Sequence, residues 1–393
     1  MIAGGLRRSS QNVSFPAMSD TDIRGLCPPK FELVRDAFIG NFRDGGELGA
    51  RFTLTVEGEV VVDLIGGHAD RARQTPFAED TLCPIFSTTK AVTALMIARL
   101  VDAGKLDYEQ TVASVWPDFG QAGKGAITVG QAMSHQAGLS GITRPIDPTL
   151  WFDWDAICAI LAEQAPIWPP GTQGGYHPVT IGYIAGEVFR RIDGRTVGRA
   201  LREDIAGPLG LDLWIGLPDS EAPRVAEIKK PRELPKFGAM TPALEAAFLT
   251  KWAAPGGKHS DEWRRIEIPS ANGHATAEAL ARLMSALAGD GELDGRHILS
   301  PHARGLASKE RVVGQDLVLP AVVSWGAGFM RNTPNFIYGP SEATFGHSGR
   351  GGSCAFADPA ARVAGAYVMN AESAHLMGDP RPRRLIDAAY GCL

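Results

Sequence analysis

Long apolar runs are missing from this chain. None approaches the roughly eighteen uninterrupted residues of a membrane span, so no membrane partner is expected. Basic charge is not in excess: 39 Lys and Arg against 44 Asp and Glu leave a net charge of −5, which argues against nucleic acid, since phosphate binding wants a basic face. Cysteine is sparse. Cys27, Cys83, Cys158, Cys354 and Cys392 are scattered and odd in number, the pattern of reduced structural thiols in a cytoplasmic protein. The nine histidines form no H-E-x-x-H and no close His/Cys cluster, so neither a metal nor another cofactor is expected. Residues 1–19 carry Arg7-Arg8 without an apolar stretch after them, which is not a secretory signal; 1–28 read as a loose leader.

What is present is a globular composition, 44% hydrophobic and 21% charged over 393 residues, enough for one large core or two lobes. Phe31, Val34, Phe38 and Phe42 recur at helical spacing and predict an amphipathic helix over 29–44. Phe52–Val56 alternates, Glu57-Gly58-Glu59 turns, and Val60–Ile65 returns, which is a hairpin pattern. The same grammar recurs over 353–357 and 363–369, with a last helix over 383–390. The two ends therefore predict one α+β lobe, residues 29–115 and 288–393, built on antiparallel strands with flanking helices. The middle, 116–287, reads as a helical lobe poor in strands, with its clearest helices over 180–191, 197–205 and 275–288. Within it, 218–258 is polar and proline-punctuated, a segment of loop and short helix suited to a flap.

Chemistry enters at Ser87-Thr88-Thr89-Lys90, which opens a run apolar except at Thr93 and Arg99. A helix starting there puts the hydroxyl and the amine on one face within reach of each other. A desolvated, neutral lysine is a base able to take a serine proton, and a helix apolar nearly all round belongs in a core. Taken alone, the segment reads equally as a helix cap with Lys90 in solvent.

Two further segments matter. Tyr176 lies on a tight turn between Gly174-Gly175 and Pro178, its hydroxyl free to enter a cleft. Beside a lysine ammonium the phenolate would be favoured, making it a candidate general base; the alternative is a packing tyrosine. Phe345-Gly346-His347-Ser348-Gly349-Arg350-Gly351-Gly352 has the glycines for close backbone approach, and its N–H groups suit an oxyanion; the alternative is a turn and an edge strand. The G-x-S-x-G elbow fails at Arg350.

Three such motifs in this order, with Met133-Ser134-His135-Gln136-Ala137-Gly138-Leu139 and Trp325-Gly326-Ala327-Gly328-Phe329, resemble the serine β-lactamase/penicillin-binding-protein superfamily, and within it the family VIII carboxylesterases. The resemblance spans residues 30–390 and implies a β-lactamase/transpeptidase-like fold. It implies Ser87 as nucleophile, Lys90 as its proton partner and Tyr176 as general base. It implies the backbone N–H of Ser87 and Arg350 as oxyanion hole, and His347, Ser348, Gly349 and Trp325 around the substrate, with Trp325 lining the acyl pocket; His135 reads as structural. The chain departs from the lactam-acting members at Pro178, where they carry Asn, and at His347, where they carry a lysine that holds a carboxylate. A small-molecule ester is therefore the expected substrate, with a β-lactamase or peptidase as the alternative and a non-catalytic binding protein on the same fold as the third reading.

Overall fold

The structure is a computed structural model that describes residues 23–257 and 259–393. Of the leader expected over 1–28, residues 1–22 lie outside the described residues, whereas Arg24–Leu26 (β1) is an edge strand paired with the N-terminal hairpin. That hairpin is Gly49–Val56 (β2) and Glu59–Gly67 (β3), joined through Glu57 and Gly58, both at positive φ (52° and 87°), the turn whose twist suits a two-residue loop.

A second, three-stranded sheet is made of Cys83–Phe86 (β4), Leu213–Ile215 (β5) and Gly273–Ala275 (β6), in the order β4-β6-β5. Glu292–Leu293 (β7) and Arg296–His297 (β8) form a small hairpin. Val312–Gln315 (β9), Val322–Trp325 (β10), Met330–Arg331 (β11), Phe345–Ser348 (β12), Cys354–Asp358 (β13) and Val363–Met369 (β14) complete an antiparallel sheet of nine strands, ordered β1-β3-β2-β14-β13-β12-β11-β10-β9. The pairing of β14 with β2 (Val363 opposite Val56, Met369 opposite Ala50) joins the chain's two ends at the centre of this sheet, as the split α+β lobe requires.

Side-chain alternation assigns each face of that sheet a different cover. Phe52, Leu54, Phe356 and Tyr367 pack in one apolar cluster with Phe38 of helix Glu32–Arg43 and with Leu385 and Ile386 of helix Pro380–Tyr390. Ala355, Ala357, Ala364 and Ala366 point the other way, and their small side chains admit helix Ala277–Ala288 through Leu280, Leu283 and Leu287. This helix, counted from sequence with the helical lobe, therefore lies on the sheet. Strands β5 and β6 likewise interrupt a region that reads as poor in strands, because three-residue strands leave too short a pattern to see.

Between the lobes runs helix Thr89–Asp102, buried at every position from Thr89 to Ala98. Among the described residues no helix is long and apolar enough to cross a membrane. The Leu283→Ala variant, which empties a site 1% exposed between helix and sheet, is expected to lower the unfolding free energy by about 2–5 kcal/mol, measured by urea denaturation.

Candidate active site

Strand β4 ends at Phe86, whose φ of 46° is a left-handed conformation costly for a bulky residue, roughly 1–3 kcal/mol. The turn is held by contacts on both sides: the Phe86 ring packs on His259 and Trp263, and Thr89 Oγ1 donates to Phe86 O (2.5 Å) while accepting from Gly273 N (2.9 Å). Ser87 follows as the half-buried residue of this corner, and Lys90 N donates to Ser87 O (2.9 Å), closing the first turn of the helix. The two side chains share a face, with Lys90 Nζ 3.1 Å from Ser87 Oγ.

Lys90 is 3% exposed, and burial without an offsetting carboxylate holds its pKa well below the ordinary lysine value. Its other neighbours are two carbonyls, Pro178 O at 2.7 Å and Ser270 O at 2.8 Å. Carbonyls only accept, so a neutral amine spends its two N–H groups on them and turns its lone pair to Ser87 Oγ. Tyr176 Oη donates to the same Oγ at 2.6 Å, and its ring lies 4.8 Å from Lys90 Nζ. Burial raises the Tyr176 pKa. The expected phenolate beside an ammonium is therefore corrected: desolvation favours the uncharged form of both groups.

Tyr176 is fixed from behind by a polar anchor. Asp316 Oδ1 accepts from the backbone N–H of Tyr176 (3.0 Å), Val318 (2.9 Å) and Leu319 (2.9 Å), and Oδ2 from Trp325 Nε1 (3.1 Å). Trp325 stacks on the Tyr176 ring with centroids 5.7 Å apart and planes 4° from parallel. At 1% exposure it backs the tyrosine rather than lining an open acyl pocket. His177 Nδ1 donates to Gly175 O (2.6 Å) and Nε2 accepts from Leu139 N (3.0 Å), while His135 Nδ1 accepts from His177 N (3.2 Å), so both rings brace the turn.

On the opposite side, β12 brings His347, Ser348 and Gly349 to the nucleophile turn. Ser353 Oγ donates to Ile85 O (2.8 Å) and lies 3.1 Å from Thr88 Oγ1, bolting the 349–353 loop to the corner that carries Ser87. A Cβ on Gly349 would stand 2.4 Å from Ile85 O and 2.9 Å from Thr88 Oγ1, so only glycine permits this approach. Ser348 Oγ pairs with Tyr338 Oη (2.8 Å). The N–H groups of Ser87 and Arg350 donate to no described residue. His347 is 1% exposed; its Nδ1 donates to Ser348 O (2.8 Å), and burial lowers its pKa to about 3. It is a neutral ring and supplies no cation.

The structure thus gathers Ser87, Lys90 and Tyr176 on one oxygen. It sets Ser348, Gly349 and Arg350 along one side of them and places Trp325 and His347 in the buried layer. Sequence reasoning missed Asp316, Ser270, Ser353 and the carbonyl of Pro178, none of which carries a local motif. Of the segment expected over 218–258, the described residues 218–257 form short helices and loop: Lys229 N donates to Asn370 O (2.8 Å), and Thr241 Oγ1 to Leu317 O (2.7 Å) next to the Tyr176 anchor.

With this geometry in place, comparison with known proteins is decisive. The β-lactamase family profile matches residues 35–390. The chain belongs to the β-lactamase family. A curated relative, esterase/β-lactamase LipL of Mycobacterium tuberculosis, is 35% identical over 88% of this chain and 82% of its own length. Among solved structures, a penicillin-binding protein homologue from Caulobacter crescentus is 64% identical, with a TM-score of 0.93 over 95% of this chain and all of that one. A family VIII carboxylesterase is 43% identical, with a TM-score of 0.88 over 94% of this chain and all of that one. Membership makes the chain a serine hydrolase on a β-lactamase fold, as the motifs implied.

Two outcomes are expected from the site's packing. Gly349→Ala should fold and lose activity, because its methyl group forces the 349–353 loop away from the corner that carries Ser87; circular dichroism and ester turnover would read the two separately. Burial depresses His177, His274 and His347 to about 3, and His135 well below its usual value. An unfolded chain takes up these protons near pH 6.5 and the folded chain does not, so stability is full above that pH and falls as the pH drops towards 3. Each histidine contributes about 1.4 kcal/mol per pH unit in that window. Urea midpoints at pH 7 and 5 would show the loss, and His274→Gln should reduce its slope by one histidine's share.

Proposed function

We propose that this protein is a serine carboxylesterase that hydrolyses short acyl esters of small molecules through an acyl-enzyme. The observation carrying the reading is the sharing of one oxygen, with Ser87 Oγ 3.1 Å from Lys90 Nζ and 2.6 Å from Tyr176 Oη. Neutral Lys90 takes the Ser87 proton as Oγ attacks the ester carbonyl. The oxygen that becomes negative turns to the N–H groups of Ser87 and Arg350. As the tetrahedral centre collapses, the leaving alkoxide takes the Tyr176 proton, and the Lys90 ammonium replaces it, so both groups are uncharged again. Water then attacks the acyl group, giving a proton to Tyr176 while Tyr176 passes its own to Lys90. Lys90 finally returns a proton to Ser87 Oγ as the acid departs.

The preference for esters rests on what stands next to the nucleophile. A β-lactam or a peptide terminus brings a carboxylate, and His347, neutral and tied to Ser348 O, offers no positive charge to hold it. Pro178 has no side-chain amide and contributes its carbonyl to Lys90 instead. A β-lactam-directed activity is the second reading, favoured by the 64% identity to the Caulobacter penicillin-binding protein homologue.

Ser87→Ala should lower hydrolysis of p-nitrophenyl acetate and butyrate by more than about 10³-fold, and Tyr176→Phe by about 10²–10⁴-fold, with the wild type giving a burst of one equivalent of nitrophenol. Undiminished turnover in Ser87→Ala would remove the assignment. Faster turnover of a chromogenic cephalosporin than of either ester would transfer it to lactams.

A further inference from the structure

We propose that Arg381, on the C-terminal helix and outside the reacting cluster, is a positioning residue that strengthens the Arg350 oxyanion donor through two intervening peptide groups. The inference rests on the reading of the Arg350 N–H as oxyanion donor. Arg381 is 8% exposed and its guanidinium is fully engaged. Nε and Nη2 donate to Asp379 (3.1 and 2.8 Å). Nη1 faces Glu47 Oε2 (3.1 Å), Gly46 O (3.1 Å) and Ala371 O (2.8 Å). The remaining contact is the informative one: Nη2 donates to Gly351 O at 2.5 Å.

Gly351 C=O shares its peptide group with the Gly352 N–H, and Gly352 N donates to Gly349 O at 3.2 Å. Gly349 C=O in turn shares its peptide group with the Arg350 N–H. The result is a directed chain: guanidinium N–H to the Gly351 carbonyl, Gly352 N–H to the Gly349 carbonyl, and Arg350 N–H to the oxyanion. Each peptide accepts at oxygen and donates at nitrogen, so the guanidinium N–H at the far end, itself paired with Asp379, polarises both in the sense that makes the last N–H a stronger donor. Gly351 and Gly352 are buried, where such polarisation is weakly screened.

The loop also needs the clamp mechanically. Gly351 and Gly352 sit at φ 83° and 122°, conformations that glycine adopts at little cost and leaves as readily. Ser353 holds the loop on the nucleophile side, and on the far side Gly351 O takes Arg381 together with Ser373 N (3.1 Å). The plainer role, an ion pair joining Asp379 and Glu47 to the C-terminal helix, would affect stability alone.

Arg381→Lys keeps the charge and loses the fork. A second variant, glycolic acid in place of Gly352 introduced by nonsense suppression, removes the middle N–H and makes Gly351 C=O a weaker ester acceptor, so it interrupts the chain at two links while leaving the Arg381 side chain and its carboxylates intact. Losing an oxyanion donor outright costs about 10²–10³-fold, so weakening one should lower kcat for p-nitrophenyl butyrate about tenfold in either variant. KM should stay within about twofold, and affinity for butylboronic acid, which forms a tetrahedral adduct on Ser87, should fall by the same factor as kcat. Infrared spectra of the acyl-enzyme should show the ester carbonyl band at higher frequency, a shift that a purely structural role would not cause. Unchanged kcat and carbonyl frequency in the Gly352 ester variant would overturn the proposal, whether or not Arg381→Lys folds. Ser87→Ala run alongside separates the two failures: undiminished hydrolysis there refutes the esterase reading, whereas a Ser87→Ala loss of more than about 10³-fold with full activity in the Gly352 variant refutes only the relay.

Discussion

The burial of one lysine amine is the constraint on which the rest of this protein depends. Burial holds the Lys90 pKa well below its ordinary value, its N–H groups need acceptors, and its amine must still face Ser87. Two carbonyls from separate elements meet that need, one from the turn that carries Tyr176 and one from the residue leading towards β6. Helix Thr89–Asp102 therefore has to run through the core, which explains a sequence apolar on nearly every side. The lobes have to close on it from both directions. The same closure that desolvates the lysine brings the tyrosine to the serine.

The electrostatics of that cluster are economical. Burial lowers the pKa of Lys90 and raises that of Tyr176, so desolvation works against proton transfer from phenol to amine in this poorly solvating interior. In the proposed mechanism, charge develops only while an acyl group is being transferred, next to N–H groups already in place. Preorganisation of this kind depends on the layer behind the reacting groups. Asp316 ties the Tyr176 turn, Trp325 Nε1 and the 316–319 turn into one unit, while Ser353 and Thr88 tie the 349–353 loop to the corner that carries Ser87.

Legibility followed the range of the interaction. Ser87 and Lys90 were readable because a helix sets their spacing within four residues, and the hairpin Gly49–Gly67 because alternation and its turn are local. Tyr176 and the 347–349 strand were readable only as members of a familiar constellation, since nothing local distinguishes them from a packing tyrosine and a glycine turn. What stayed hidden has a common character. Pro178 and Ser270 act through main-chain oxygen, which leaves no residue-type signal. Asp316 is one aspartate among many until the fold sets four donors around it. The ionisation of Tyr176 was misjudged because it is decided by burial, and helix Ala277–Ala288 was placed in the wrong lobe because periodicity says which face is apolar but not what covers it.

Pro178 and His347, the two departures from the lactam-acting pattern, are more than losses. A residue at 178 is needed whose carbonyl points at Lys90, and proline restricts its own φ and adds no N–H to satisfy. His347 is turned into its own strand, spending its proton on Ser348 O, and leaves uncharged aromatic surface beside the Tyr176 and Trp325 rings. A lysine there would set a permanent positive charge near Lys90 and depress its pKa further, while also stabilising a Tyr176 phenolate. Removing that charge keeps the serine, lysine and tyrosine neutral together. The change that weakens recognition of a carboxylate is thus the same change that keeps a further cation away from Lys90 and Tyr176, and the electrostatics around Ser87 support the ester preference proposed for this chain.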